Sequence, residues 1–436
     1  MVQQAVILCG GLGTRLGGLV AEVPKPMIEI AGKPLLVHSI ERLRAAGVTD
    51  ILMAAGYKAD VIRSYFEAHP QGVGLRVFDE TRPLGTAGCV RALMPHLADR
   101  FLVLYGDVFI DFDLREIIDA DQGRDAAATL LVRPSDHPWD SDLVVVEGER
   151  RVTGFIRAGE AREFPRNTAN AAIYVFGREV IGLMPADTKI DWVKDVFPAA
   201  IAAGMTLEAH VFSGVGFLKD MGTPRRLELV ERYLAEKRLV EEARAHPKPI
   251  TTVFLDRDGV INEEVDLLRD PADFRLLPGA AAAIARLNDA GMRVVVVTNQ
   301  PVIARGLCSL ETLAAIHARM HDLLAAEGAR VDAVYFCPHH PETHHRDPGS
   351  VAELRVACEC RKPAPGMLLR AARELDCDLG AAVLVGDRSI DVQAATRAGV
   401  RSILLGAEPD RPPRPTLVAT SLAEAASAIL AGRLSP

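Results

Sequence analysis

Two aspartates stand two residues apart in Val253-Phe254-Leu255-Asp256-Arg257-Asp258-Gly259-Val260, directly after an apolar run. Alone, such a pair suits a helix cap or a metal-binding turn as well as it suits catalysis. Three further segments change the balance. Val294-Val295-Val296-Val297-Thr298-Asn299 ends an apolar run on a small hydroxyl, Arg361-Lys362-Pro363 offers a cation, and Val385-Gly386-Asp387-Arg388-Ser389-Ile390-Asp391 ends another run on acids. In an open parallel sheet the carboxyl ends of the strands share one edge, and sites form there. Groups this far apart in the chain can therefore converge.

The other end of the chain carries a different signal. Cys9-Gly10-Gly11-Leu12-Gly13-Thr14-Arg15-Leu16 follows a short apolar run. Glycines let a backbone approach a phosphate chain closely, and successive loop amides can point at it. Arg15 adds a planar fork suited to phosphate oxygens. Pro24-Lys25-Pro26 then holds a lysine between two rigid residues. A glycine-rich stretch also serves as a tight strand-to-helix turn, so the loop needs support from the rest of the chain.

The third cluster is of metal-ligand type. Cys337-Pro338-His339 is followed, after eighteen residues, by Cys358-Glu359-Cys360. Two such clips supply four ligands, enough for a closed tetrahedral structural zinc. Seven cysteines in 436 residues do not make a disulfide scaffold. His340, His344 and His345 read as bystanders, and Cys9, Cys89, Cys308 and Cys377 as ordinary small side chains.

Alternating elements must position these groups, which predicts an α/β chain. Strands are expected at 4–8, 49–54, 74–78, 100–104, 127–132 and 171–176, each apolar and bounded by turn residues. Helical spacing covers 35–46 and 227–245. Ala245-His246-Pro247-Lys248-Pro249 breaks the pattern. A second series follows, with strands at 251–255, 293–297 and 381–385 and an Ala-rich helix at 279–290. The expected division is a first domain over 1–236, a linker over 237–250, a second domain over 251–408 and a tail over 409–436. Each half is long enough to bury a core of its own.

Composition sets the limits. Hydrophobic residues make up 49% and charged residues 25%, an ordinary globular mix that excludes disorder as the main state. The net charge of −8 argues against a nucleic-acid binder. No apolar run reaches the ~18 residues of a membrane helix, and the N-terminus lacks a basic leader. The expectation is a cytoplasmic protein with small-molecule partners, no membrane and no nucleic acid, in an oligomeric state left open.

The first half resembles the nucleotidyltransferases that make nucleotide sugars from sugar 1-phosphates. After the loop and Pro24-Lys25-Pro26-Met27 come, in order, Pro83-Leu84-Gly85-Thr86-Ala87-Gly88, Leu104-Tyr105-Gly106-Asp107, Asn170-Ala171-Ala172-Ile173-Tyr174 and Lys219-Asp220-Met221-Gly222-Thr223-Pro224. The resemblance covers about residues 3–236 and implies a Rossmann-like domain with a mixed sheet. It also implies in-line attack of a sugar phosphate oxygen on the α-phosphorus of a nucleoside triphosphate, with loss of pyrophosphate. Gly10, Gly11, Gly13, Thr14 and Arg15 would bind the nucleotide, and Arg15 with Lys25 would act on its phosphates. Gly85, Thr86 and Gly88 would shape the base pocket, Asn170 would contact the sugar, and Asp107 and Asp220 would hold Mg²⁺. Many relatives carry Glu-Lys where this chain has Phe155-Ile156-Arg157-Ala158-Gly159. Arg157 and Lys194 are the cations left to meet the sugar phosphate.

The second half resembles the haloacid dehalogenase superfamily of phosphatases over about 251–408, which implies a parallel sheet. The resemblance makes Asp256 the nucleophile and Asp258 the acid and base. It puts Mg²⁺ on Asp256, Asp258 and Asp387, and the transferring phosphoryl group on Thr298, Asn299 and Lys362, with Asp391 as a helper. Together with the zinc loop, Cys360-Arg361-Lys362-Pro363-Ala364-Pro365-Gly366-Met367 is similar to a narrow branch holding heptose bisphosphate and histidinol phosphate phosphatases. Asn299-Gln300 and Ala304-Arg305-Gly306 fit it too, while Pro301-Val302 replaces the usual Ser-Gly. Arg305 is the candidate grip for a second, unreactive phosphate, and Arg361 is a further phosphate candidate.

The two resemblances together imply successive steps of one route. The phosphatase would remove the 7-phosphate of D-glycero-D-manno-heptose 1,7-bisphosphate. The transferase would join the heptose 1-phosphate to GMP from GTP, giving GDP-heptose. Two alternatives stand beside this: a hexose (mannose) 1-phosphate transferase fused to a histidinol phosphate phosphatase, and a nucleotide-sugar sensor with one silent half.

Overall fold

The computed structural model describes residues 2–10, 23–134, 141–157, 167–212, 216–265, 267–342, 349–407 and 411–434. Gly11, Gly13, Thr14 and Arg15 of the glycine-rich loop lie outside the described residues. The chain divides into two compact units, Met1–Leu234 and Ala235–Pro436.

The first unit is built on a mixed nine-stranded sheet. Its strands run in the order Gly74–Asp79, Asp50–Ala55, Gln4–Leu8, Arg100–Tyr105, Ala169–Gly177, Ala128–Arg133, Leu207–Val211, Arg151–Ile156 and Leu143–Glu147. Gln4–Leu8 pairs in parallel with both neighbours, whereas Ala169–Gly177 runs antiparallel to its own. All five residues of Gln4–Leu8 are buried, because the strand lies in the parallel part of the sheet, which is covered on both faces. Side chains alternate between the faces with period two. Val6 and Leu8 enter one core with Trp192 and Phe176, while Ala5 and Ile7 enter another with Leu36 and Ile40. A two-stranded ribbon, Val108–Asp111 with Phe217–Asp220, lies beyond the main sheet.

The second unit has a six-stranded, wholly parallel sheet. Its order is Ala333–Cys337, Arg293–Asn299, Thr252–Leu255, Ala382–Gly386, Arg401–Leu405 and Leu417–Ala419. Alternation decides its cores as well. Val253, Leu255, Val294 and Val296 face one, and Phe254, Val295 and Val297 face the other. This is why four consecutive valines are accommodated: the strand is central and needs apolar side chains on both faces.

Two stretches depart from the sequence expectation. Residues 237–250 are helical as far as Ala245, in the helix Pro224–Ala245, and Val240 and Ala243 are buried in the second unit's core. The Pro247 and Pro249 pair marks the end of that helix and not a loose connection. Past residue 408 the chain adds the strand Leu417–Ala419 and the helix Leu422–Leu430. Ala425, Ala426 and Ile429 are buried in the same core as the helix Ala280–Asp289. The Ala-rich stripe lets two helices approach closely, which makes this segment part of the domain.

Candidate active sites and metal centre

In the second unit the carboxyl ends of three strands bring the expected groups together. Asp256 follows Thr252–Leu255, and its amide donates to the Val385 carbonyl at 2.9 Å. One oxygen of its carboxylate accepts from the Arg257 amide at 2.7 Å, and the other lies 2.8 Å from Lys362 Nζ. Lys362 also meets Asp391 at 2.6 Å, and all three side chains are 2% exposed. Burial pushes the Asp256 carboxyl up to about 6 against the opposing pull of Lys362, and the Asp391 charge adds to the rise. Burial works against the charge of Lys362, yet Asp256 and Asp391 hold it above the usual lysine value.

Asp387 completes the cluster. The carboxylates of Asp256, Asp387 and Asp391 lie within 4.8 Å of one another. Burial and then the Asp256 charge raise Asp387, and its buried Oδ1 has no hydrogen-bond partner. A buried acceptor without a donor is costly, and a divalent cation on Asp256 and Asp387 would satisfy it. The backbone is shaped for this closeness. Gly259 has φ +75°, and a Cβ there would collide with the Asp387 carboxylate, as one on Gly386 would with Asp391. The residues present fit Mg²⁺.

Other expected residues are placed less simply. The Thr298 hydroxyl accepts from Gln300 at 2.9 Å. The side-chain amide of Asn299 is committed to Lys362: Nδ2 donates to the Lys362 carbonyl and Oδ1 accepts from its amide, both at 3.0 Å. Asn299 therefore braces the lysine, and its side chain is occupied. Arg361 donates to the His339 carbonyl at 3.2 Å. Arg305 is half-buried; burial lowers His340 to about 4, and the charges of Arg361, Arg305 and Arg355 help.

Asp258 is clamped. It accepts from Arg257 Nε at 3.1 Å and Nη2 at 2.9 Å, and from the amides of Asn262 and Gln300 at 2.9 Å each. Burial alone would raise its pKa, but Arg257 and the bonds from Asn262 and Gln300 outweigh it and hold the carboxyl below the usual aspartate value. Arg257 and Asn262 were not singled out from sequence. An arginine between two acids was the available signal for the first, and nothing local marks the second.

The candidate metal centre gathers Cys337, His339, Cys358 and Cys360, with ligand atoms within 4.8 Å of one another. Neighbouring pairs are 3.3–3.6 Å apart. A tetrahedron with metal–sulfur bonds of about 2.3 Å needs spacings of roughly 3.5–3.8 Å. Hydrogen bonds from Cys337 and Cys360 hold the Cys358 thiol far below its ordinary value, and those to Cys358 and Cys360 raise His339 to about 10. One thiol held toward the thiolate, a second, Cys337, held protonated by its bonds to Cys358 and Cys360, the Cys360 sulfur and an imidazole thus face one point. The cluster can hold a metal.

In the first unit, Gly10 follows Cys9 at the end of Gln4–Leu8, and a Cβ on it would strike the Glu80 carboxylate. Glu80 accepts from the Leu84 amide at 2.6 Å, so this acid, missed from sequence, packs beside Gly10 and fixes Leu84. Lys25 is ion-paired with Asp107, and Asp220 with Arg226. The Met221 amide donates to the Asp107 carbonyl at 2.8 Å, which sets the two acids side by side at one end of the ribbon. Gly85 and Gly88 are glycines because a Cβ would meet the main chain of Ile190 and Thr188 respectively. Thr86 donates to Asp191 at 3.0 Å and accepts from the Trp192 amide at 3.2 Å. The Asn170 amide donates to the Tyr174 hydroxyl at 2.8 Å, and its oxygen accepts from Ala172 at 3.1 Å. That bond holds Ala172 at φ +57°, inside a register shift of the strand. Lys194 is exposed, as is Arg157.

Comparison with known proteins agrees with this geometry. The Nucleotidyl transferase family matches residues 4–237, and the HAD-hydrolase-like family matches residues 359–425. A D-glycero-beta-D-manno-heptose-1,7-bisphosphate 7-phosphatase of Yersinia pestis is 41% identical over 156 residues, 36% of this chain and 80% of its own length. That of Rhodopseudomonas palustris is 46% identical over 147 residues, 34% of this chain and 78% of its own. A mannose-1-phosphate guanylyltransferase of Mycobacterium tuberculosis is 35% identical over 223 residues, half of this chain, which spans 61% of that enzyme. With the ribbon acids and the buried Asp–Lys–Asp cluster in place, the chain belongs to the nucleotidyl transferase family through its first half and to the HAD-like phosphatases through its second, and is a bifunctional enzyme.

Proposed function

We propose that the chain performs two consecutive steps of nucleotide-sugar synthesis. The second unit removes the 7-phosphate of D-glycero-D-manno-heptose 1,7-bisphosphate. The first unit transfers GMP from GTP to the resulting heptose 1-phosphate, giving GDP-heptose and pyrophosphate. The observation that carries the reading is Lys362, buried between Asp256 and Asp391, with the Asp387 Oδ1 beside them making no hydrogen bond and Arg388 Nε 3.8 Å from it. The names of the phosphatase relatives supply the substrate.

Asp256 attacks the phosphorus, the bond to the sugar oxygen breaks, and the phosphoryl group rests on the carboxylate. Asp258 gives the departing oxygen its proton, then takes one from the water that cleaves the aspartyl phosphate and regenerates Asp256. Without substrate Asp258 is ionised. The approaching phosphate is a like charge, which raises its pKa and loads the proton when it is needed. Lys362 and Thr298 hold the phosphoryl oxygens, and Asn299 keeps Lys362 in place. Asp256, Asp387 and the Asp258 carbonyl would hold Mg²⁺, which offsets repulsion between carboxylate and phosphate. Cys337, His339, Cys358 and Cys360 would hold a structural Zn²⁺.

In the first unit Arg15 and Lys25 act on the triphosphate, and Gly10, Gly11, Gly13 and Thr14 cradle it. Asp107 and Asp220 would hold Mg²⁺ there. Each is paired with a cation, so nucleotide binding must draw Lys25 and Arg226 away from them. Gly85, Thr86 and Gly88 form the wall beside the base, and Asn170 and Lys194 serve the sugar phosphate. The enzyme works in the cytoplasm on small molecules. No described helix is long and apolar enough to cross a membrane.

One incubation with the bisphosphate, GTP and Mg²⁺ tests the proposal, read out as phosphate, pyrophosphate and GDP-heptose. Asp256→Asn should abolish phosphate release while transfer to supplied heptose 1-phosphate persists, and Asp107→Asn should do the reverse. Loss of both reactions in either folded variant refutes separate sites. The first-half relatives named for mannose 1-phosphate favour a second reading, in which that sugar is the acceptor. Parallel assays with mannose 1-phosphate and heptose 1-phosphate decide between them.

A further inference from the structure

The side chain of Arg257 is completely buried, and its hydrogen bonds point along two directions. Nε and Nη2 face the Asp258 carboxylate, with Nη2 2.9 Å from each oxygen. Nη1 lies 3.2 Å from Nε2 of His317. An arginine can only donate, so the imidazole nitrogen opposite it must carry a lone pair. The ring is therefore neutral, with its proton on Nδ1. Burial and the Arg257 charge push its pKa down to about 4, which keeps it neutral at physiological pH.

His317 sits on the helix Leu310–Ala326, anchored in the core by Leu313, Ile316, Met320 and Leu324. Phe336 lies against the imidazole at 5.9 Å between ring centres. The acceptor offered to Nη1 is thus fixed by a rigid element and a neighbouring ring. A guanidinium is planar, so fixing one edge fixes the roll of the other. We propose that His317 is a positioning residue of the phosphatase reaction: by accepting from Arg257 Nη1 it sets the plane of the Arg257 fork, and through that fork the orientation of Asp258. The inference rests on the phosphatase reading of the second unit, in which Asp258 moves the proton.

Without an acceptor at residue 317, a buried donor is left unmet, and the guanidinium turns to recover a bond. Asp258 then loses its two-point alignment, although Asn262 and Gln300 still hold it in the pocket. The nucleophile and Lys362 are untouched. The damage should therefore fall on steps that need a proton delivered. Alkyl phosphates expel a strongly basic alkoxide and need the acid, while p-nitrophenyl phosphate expels a weakly basic phenolate and needs it little.

The experiment compares kcat/KM, which reports steps up to cleavage of the ester bond, for the sugar bisphosphate and for p-nitrophenyl phosphate. In His317→Leu the first should fall roughly tenfold and the second by less than about twofold. His317→Gln, whose side-chain oxygen can accept from Nη1, should restore most of the loss. Equal losses on both substrates would make His317 a structural residue, and no loss on either would break its link to Asp258; each result overturns the proposal. Nitrogen-15 shifts of the wild-type imidazole, assigned with His317→Gln, give a test independent of the leucine variant's folding. A neutral ring protonated on Nδ1 at neutral pH is required, and an Nε2–H or charged ring overturns the contact. Asp256→Asn runs alongside. If it keeps turning over, the phosphatase reading itself fails, which is separate from any result at His317.

Discussion

Replacing Lys362 with methionine should destabilise the second unit and silence its chemistry, and the size of the effect follows from the geometry. The ammonium lies 2.8 Å from Asp256 and 2.6 Å from Asp391, with all three side chains 2% exposed. At an effective dielectric of ~20 each contact is worth about 6 kcal/mol of gross attraction. Desolvating three ions costs several kcal/mol apiece, so the assembled cluster stabilises little overall. Removing one member is different. Two carboxylates remain buried without a counter-charge, and breaking a buried pair in this way costs about 3–5 kcal/mol. For a unit of this size each kcal/mol lowers Tm by roughly 2–4 °C, so its melting should fall by roughly 6–20 °C. The Asp256 carboxyl, already raised to about 6, loses its largest opposing charge and becomes protonated at neutral pH, which removes the nucleophile. Calorimetry of the whole chain should show one transition shifted and the other in place, with nucleotidyl transfer retained. Adding Asp391→Asn deletes one orphaned charge and should recover part of the lost stability. If the double variant is no more stable than Lys362→Met, the three groups do not act as one electrostatic unit.

Three further outcomes are expected. Cys358→Ser should lose bound zinc, measured by elemental analysis, and loosen the loop, while some turnover of p-nitrophenyl phosphate remains; an ordered, fully active loop without zinc would refute the four-ligand centre. Mg²⁺ binding to the second unit, followed by calorimetry in the Asp107→Asn chain, should weaken about tenfold per pH unit below about 6 and level off above it, because the ion must displace the proton that burial keeps on Asp256. An affinity that does not change between about pH 5 and 7 contradicts that raised carboxyl. Arg305→Ala should remove a charge-assisted contact worth about 1.5–3 kcal/mol, a loss of roughly 10- to 150-fold in kcat/KM for the bisphosphate, and barely alter a monophosphate; equal losses would assign Arg305 to the loop.

From sequence alone the central strands and the chemistry just past them were legible, but not the strands Leu143–Glu147, Arg151–Ile156, Leu207–Val211, Ala333–Cys337 and Arg401–Leu405. Buried strands declare themselves by unbroken apolar runs, as in Arg293–Asn299, because a parallel sheet covered on both faces tolerates nothing else. Acids and a hydroxyl placed just past such runs were legible as one site, with a lysine supplied from between them in the chain, since a parallel sheet gathers strand ends on one edge. The two cysteine clips were equally plain. Tertiary structure alone decided what each side chain has left to offer. Asn299, expected at the phosphoryl group, also spends its side chain on a lysine 63 residues away. Gly85 and Gly88 resembled pocket glycines and are also required where a helix meets the main chain at 188–190. Asp258 has its four donors, and Arg257 its histidine on a distant helix, only once the core has packed. The same holds for 237–245 and 411–434, whose apolar faces find partners in folded neighbours. Local pattern fixes periodicity and turn chemistry, but a hydrogen bond or a core contact is set by which distant residue folding brings within reach.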